Sequence, residues 1–134
     1  MAELDLDRIQ SEAAAALREG RLLLQRCACG ELRLPPRAAC AVCLSTDWTW
    51  HAAAGGGRLY SWVVYHVAFH PDFRERLPYN VAVVELDEGP RLITSIVDDN
   101  ARLQMEARVT LVKPELGGGA APAPARFKLS PQNE

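Results

Sequence analysis

Residues 25–43 read QRCACGELRLPPRAACAVC, and this stretch holds all four cysteines of the 134-residue chain. Thiols crowded into one short segment, in a chain whose acidic start MAELDLDRIQSE carries no export signal, point to a metal site before a disulfide framework. Four thiolates around Zn²⁺ at about 2.3 Å require sulfur atoms roughly 3.8 Å apart. Cys40 and Cys43, as C-x-x-C, meet that requirement directly. Cys27 and Cys29 stand at i and i+2, on the same side of an extended chain, and need a local bend to bring their sulfurs together. Pro35 and Pro36 forbid a helix between the pairs, so the stretch reads as a hairpin-like ribbon over residues 22–52, an appendage held by metal in place of a core. A metal-free or partly occupied ribbon of free thiols, and a redox-active or iron-binding pair, are the other readings of the same four residues.

Outward from the ribbon on the N-terminal side, Leu6, Ile9, Ala13, Ala16 and Leu17 fall at helical spacing between Leu4 and Glu19, with Asp5 or Asp7 to cap the start and Gly20 to end it. The domains are thus a helix over 1–21, the ribbon over 22–52 and a third unit over 53–134. On the C-terminal side the glycines of HAAAGGG permit a bend into RLYSWVVYHVAF, a long strand rich in β-branched and aromatic residues. Alternation puts Leu59, Ser61, Val63, Tyr65 and Val67 on one face and Tyr60, Trp62, Val64 and His66 on the other. The loop HPDFRERLPYN leads to the hairpin VAVVELD-EGP-RLITSIVD. Two more strands follow, ARVTLVK and ARFKLS, joined by PELGGGAAPAP. The fold class is mostly β: an N-terminal α-helix, a rubredoxin-like zinc ribbon and a five-stranded OB-fold barrel, with an open sandwich of the same strands as the alternative.

Composition limits the chemistry. About half of the residues are apolar (49%) and 24% are charged, as in a globular protein, and no run is long and apolar enough for a membrane span. The expected compartment is the cytoplasm. A net charge of −2 and a pI near 5.9 give no general attraction to a polyanion, so nucleic acid is not an expected partner, although ribbons and OB-folds serve as nucleic-acid modules elsewhere. With the cysteines engaged in a metal site, no thiol remains as a nucleophile. G-x-S-x-G, P-loop, H-E-x-x-H and dinucleotide motifs are absent, so no catalytic residue is assigned.

The order REGRLLLQRC, then CG, then PPR with C-x-x-C, then GGGRLYSWVVYH, then HPDFRERLPYNVAVVELDEGPRLITSIVD resembles a bacterial and archaeal zinc-ribbon plus OB-fold family that accompanies thiolases and MaoC-like hydratases. The likeness covers about Arg18 to Asp98. It implies a non-catalytic accessory subunit that binds or channels acyl-CoA for a thiolase-like or hydratase-like partner in a hetero-oligomer, with carbon–carbon bond cleavage or formation as the partner's reaction. Retro-aldol cleavage in steroid side-chain degradation is the preferred context. It also implies a structural Zn²⁺ on Cys27, Cys29, Cys40 and Cys43. The family pattern has C-x-x-C at the first knuckle, where this chain has CAC.

The residues agree with such a ligand, because coenzyme A combines phosphates with an adenine ring. Arg58, Arg74, Arg76 and Arg91 stand among Tyr60, Trp62, Phe69, Phe73 and Tyr79, and guanidinium groups with aromatic faces suit phosphates and a base; solvated arginines and core aromatics are the plainer reading. His66 sits on a strand, and His70 opens a loop where it can anchor a partner or donate a proton. The acyl-CoA or partner contact set is therefore Arg58, Tyr60, His66, Phe69, His70, Phe73, Arg74, Pro78, Tyr79 and Asn80, centred on the loop from Phe69 to Asn80.

Overall fold

A computed structural model describes residues 6–68, 70–112 and 125–131. Helix α1 (Leu6–Arg18) turns Ile9 and Ala16 inward, and Asp7 lies in its first turn, where the helix dipole favours an acid. It stops where Gly20, at φ +87°, reverses the chain: the Gly20 N–H donates to Leu17 O and the Arg21 N–H to Ala16 O, the paired bonds of a Schellman cap. The expected start at Leu4 and Asp5 lies outside the described residues.

Three strands form the ribbon, β1 (Leu23–Cys27), β2 (Leu32–Arg33) and β3 (Trp48–Ala52), antiparallel in the order β2-β1-β3. Five more make the barrel: β4 (Gly56–Tyr65), β5 (Tyr79–Leu86), β6 (Arg91–Ile96), β7 (Arg108–Leu111) and β8 (Arg126–Leu129). Their order β4-β5-β6-β8-β7 closes back on β4, with β6 and β8 parallel and the other pairs antiparallel, which is the OB arrangement and removes every open edge. Strand β5 alternates strictly, with Asn80, Ala82, Val84 and Leu86 inward; they meet Leu59, Ile96, Val109 and Phe127 in the core. Close approach of β4 to β5 requires Gly57, where an added Cβ would lie 2.6 Å from Glu85 O.

Two expectations are corrected. The ribbon is not a separate appendage but shares the barrel's core: Leu22 and Leu24 belong to the barrel's hydrophobic cluster, and Leu32, Leu34 and Ala53 pack against it. Strand β1 and the residue before it therefore carry two opposite duties, Leu22 and Leu24 toward the barrel and Leu23, Gln25 and Cys27 on the other face. The two faces assigned to β4 also change at Tyr60. The β4–β5 register slips between Leu59 and Ser61, a bulge that inserts one residue and inverts the alternation beyond it. Leu59 is fully buried, but Val63 is 54% exposed and Val67 66% exposed, while Trp62 from the opposite set packs on the core.

Among the described residues no helix is long and apolar enough to cross a membrane.

Candidate metal centre and barrel surface

Two turns of one design present the four thiols. At the first, the Cys27 N–H donates to Glu31 O and the Gly30 N–H to Cys27 O, so Ala28, Cys29 and Gly30 form a three-residue hairpin loop between β1 and β2, with Gly30 at φ +94°. At the second, the Cys40 N–H donates to Ser45 O and the Leu44 N–H to Cys40 O, and Leu44 takes the left-handed position at φ +63°. The first loop is the second shortened by one residue. The bend required by C-x-C is thus the hairpin turn itself.

The turns bring Cys27 Sγ to 3.2 Å from Cys43 Sγ and Cys29 Sγ to 3.8 Å from Cys40 Sγ, and all four sulfurs lie within 4.8 Å of one another. All are free thiols, Cys27 and Cys40 buried and Cys29 and Cys43 exposed. The Val42 N–H donates to Cys40 Sγ at 3.4 Å. Such bonds stabilise thiolate. The Cys29 N–H and then the Cys43 thiol lower the Cys27 pKa, and the Cys43 and Val42 N–H groups lower Cys40 to about 6. At Cys43 the Ser45 N–H acts the same way, but the Cys27 sulfur and burial outweigh it and push the thiol up to about 12. Cys29 is raised likewise: the lowering effect of its Glu31 N–H and of the Cys43 thiol is outweighed by the Cys27 sulfur, burial and the Cys40 sulfur. Four convergent soft donors with nearly tetrahedral spacing fit Zn²⁺ as a closed structural site, with no coordination position left for a substrate.

The ten expected contact residues do not form one cluster. At the start of β4, Arg58 binds Glu85 at 3.0 Å and Glu106 at 2.6 Å, Arg91 takes the other Glu85 oxygen at 2.9 Å, and the Arg91 guanidinium lies 3.9 Å from the Tyr60 ring centroid. These arginines neutralise glutamates of the same chain, and Arg91 followed by Arg58 holds the Glu85 carboxyl below the usual range. Roughly 20 Å further along the strand, Tyr65 stacks on Tyr79 at 5.2 Å and His66 is exposed. Exposed His70 follows, then the 3₁₀ helix Pro71–Arg76 containing Phe73 and Arg74, and then exposed Pro78; Phe69 lies outside the described residues. Asn80 faces inward. Its Nδ2 donates to Ile96 O at 2.9 Å and to Asn100 Oδ1 at 2.8 Å, and its Oδ1 accepts from the Ile96 N–H at 2.7 Å. The amide therefore ties β5 to the end of β6. Sequence reasoning passed over Gln25 and Arg33, both buried beside the thiols; a Gln inside the apolar run LLLQRC, in phase with Cys27, was the available signal.

A zinc ribbon packed on a closed five-stranded OB barrel defines the class. Family models described as "ChsH2, rubredoxin-like zinc ribbon domain" and "ChsH2, C-terminal OB-fold domain" match residues 14–49 and 50–113, and the chain belongs to this family, known as DUF35. A DUF35 domain-containing scaffold protein of Methanocaldococcus jannaschii is 33% identical over 106 residues, which cover 75% of this chain and 74% of that one. A solved structure titled "Ltp2-ChsH2(DUF35) aldolase" contains a chain that superposes with a TM-score of 0.76 at 37% identity, over 89% of this chain and 92% of that one. A probable enoyl-CoA hydratase alpha subunit of Thermomonospora curvata is 49% identical over 83 residues, 61% of this chain; the match spans only a quarter (25%) of that protein.

Proposed function

We propose that this chain is a non-catalytic accessory subunit that joins a thiolase-like or hydratase-like enzyme and holds acyl-CoA for it, the partner cleaving or forming a carbon–carbon bond next to the thioester. Retro-aldol cleavage of a steroid side chain is the specific reaction within this reading. Its main support is the likeness, in fold and along nearly the whole length, to the DUF35 chain of an aldolase structure. The chemistry is compatible: four cysteine ligands close the zinc centre and leave no coordination position for a substrate. The segment from His66 to Tyr79, with stacked Tyr65 and Tyr79 behind it, is the proposed partner contact.

The outer face of β4, β5 and β6 supports a protein or thioester partner over nucleic acid. Val63 pairs with Val81 and Val83 with Ile93 there; Val63 and Ile93 are 54% and 78% exposed, while the adjoining arginines are occupied by glutamates. Purification of the chain alone and together with a thiolase-like protein from the same cells tests the proposal with a β-hydroxyacyl-CoA substrate. Activity requiring both proteins is the expected result; full activity of either alone overturns it.

A further inference from the structure

Arg33 is buried, 8% exposed, and makes no ion pair with a carboxylate among the described residues. Its Nε donates to Gln25 Oε1 at 2.8 Å and its Nη2 reaches Arg37 O at 3.4 Å, while Nη1 is buried with no partner. Gln25 is fully buried, and its Oε1 also accepts from the Arg37 N–H at 2.7 Å. A guanidinium stays charged on burial, so a lone buried one is costly unless an anion lies near.

Two anions come into question, the Glu31 carboxylate, which lines the same cleft without pairing with Arg33, and the metal centre. Gln25 and Cys27 share a face of β1 two residues apart, about 7 Å, and Arg33 stands opposite Gln25 in the register. On the other side the guanidinium contacts Arg37 O, three residues before Cys40, and Arg33 and Cys40 line one cleft of about 190 Å³ together with Glu31, Leu34, Arg37 and Pro90. Zn²⁺ held by four thiolates is a dianion. We infer that Arg33, clamped by Gln25, is the built-in counter-charge of the zinc tetrathiolate, so that the metal-loaded ribbon is electrically matched and the buried cation is less fully compensated when the metal is absent.

The test uses the full chain as wild type, Arg33→Met and Arg33→Lys, with Zn²⁺ itself as the probe. Competition with a chromophoric chelator reads affinity, and thermal unfolding is followed with and without zinc. One charge acting on a dianion at a separation on the order of 8 Å leads, even with the full screening of water, to at least a fivefold loss of zinc affinity in Arg33→Met. Arg33→Lys, which keeps the charge, loses less than half as much on a logarithmic scale. Metal-free Arg33→Met is at least as stable as metal-free wild type, whereas its zinc form is less stable than zinc-loaded wild type. A smaller affinity loss in Arg33→Met, an equal loss in Arg33→Lys, or a parallel fall in stability with and without zinc overturns the assignment, because packing alone would lower both forms.

Discussion

Exchange of the residues that close the two cysteine loops tests the reading of the knuckles most directly. Gly30 and Leu44 occupy equivalent left-handed positions, at φ +94° and φ +63°, yet only one is glycine. In Gly30→Ala the new Cβ meets nothing within 4 Å, so the effect is backbone strain alone. Left-handed backbone costs an L-residue about 1–2 kcal/mol, and the stiffer unfolded chain returns about 0.4–1. A net loss near 1 kcal/mol remains, roughly a fivefold weakening of zinc if the loop relaxes when the metal leaves. Leu44→Gly runs the other way. The side chain is 78% exposed and loses little burial, so relief of strain exceeds the added unfolded-state entropy, with a gain of about 0.5 kcal/mol. Chelator competition and thermal unfolding of the zinc form measure both. A neutral Gly30→Ala, or a Leu44→Gly that destabilises by more than about 1 kcal/mol, refutes the account, because it shows that the closing residue is not what holds each sulfur in place.

Other outcomes follow from the barrel and its seam with the ribbon. Asn80→Ala strands the Ile96 N–H and C=O in the interior and lowers stability by about 2–4 kcal/mol in urea unfolding; a loss below about 1 kcal/mol contradicts the role as a tie between β5 and β6. Leu24→Ala removes a fully buried side chain of the shared core and costs about 2–5 kcal/mol. Because that core is shared, the fluorescence of Trp48 and Trp50 in the ribbon, read in a Trp62→Phe background, and the circular dichroism of the barrel should melt together, and separate transitions would disprove the coupling. Glu85 has a folded pKa below its ordinary value of about 4.5 because of Arg91 and Arg58, so its contribution is present above that pH and is lost as pH falls through the folded value. Melting temperatures from pH 3 to 7 should therefore fall less steeply on the acid side in Glu85→Gln, and an identical slope counts against the ion-pair cluster.

Much of this architecture is legible in the residues because the signals are local. Gly20 ends a helix, the prolines and paired cysteines announce a ribbon, and EGP between alternating runs marks a hairpin. What escapes is set by tertiary pairing. No residue type announces the bulge at Tyr60, since a one-residue slip depends on the register with β5, yet it moves Val63 to the outside. The arginines near aromatic rings read as ligand groups because sequence distance hides their partners: Arg58 meets Glu85 and Glu106, 27 and 48 residues away. Asn80 reads as part of a loop, whereas its position in phase with Ala82 and Val84 turns it inward.

The shared core also alters what the metal is for. In a ribbon without apolar burial, zinc binding and folding are one event. Here β1 is held independently by Leu22 and Leu24 in the barrel cluster and by its five-residue register with β3 from Leu23 to Cys27. The metal is left with the tips, where Cys29 and Cys43 are exposed and the loops carry their own closing bonds. A shortened first knuckle is tolerable for that reason: the strand that ends in Cys27 is already positioned by the barrel, and only Cys29 has to be brought in by the turn. The zinc then fixes the orientation of two loops, the second carrying the exposed Val42 and Leu44 beside the cleft shared with Pro90 of the barrel, rather than the existence of the ribbon.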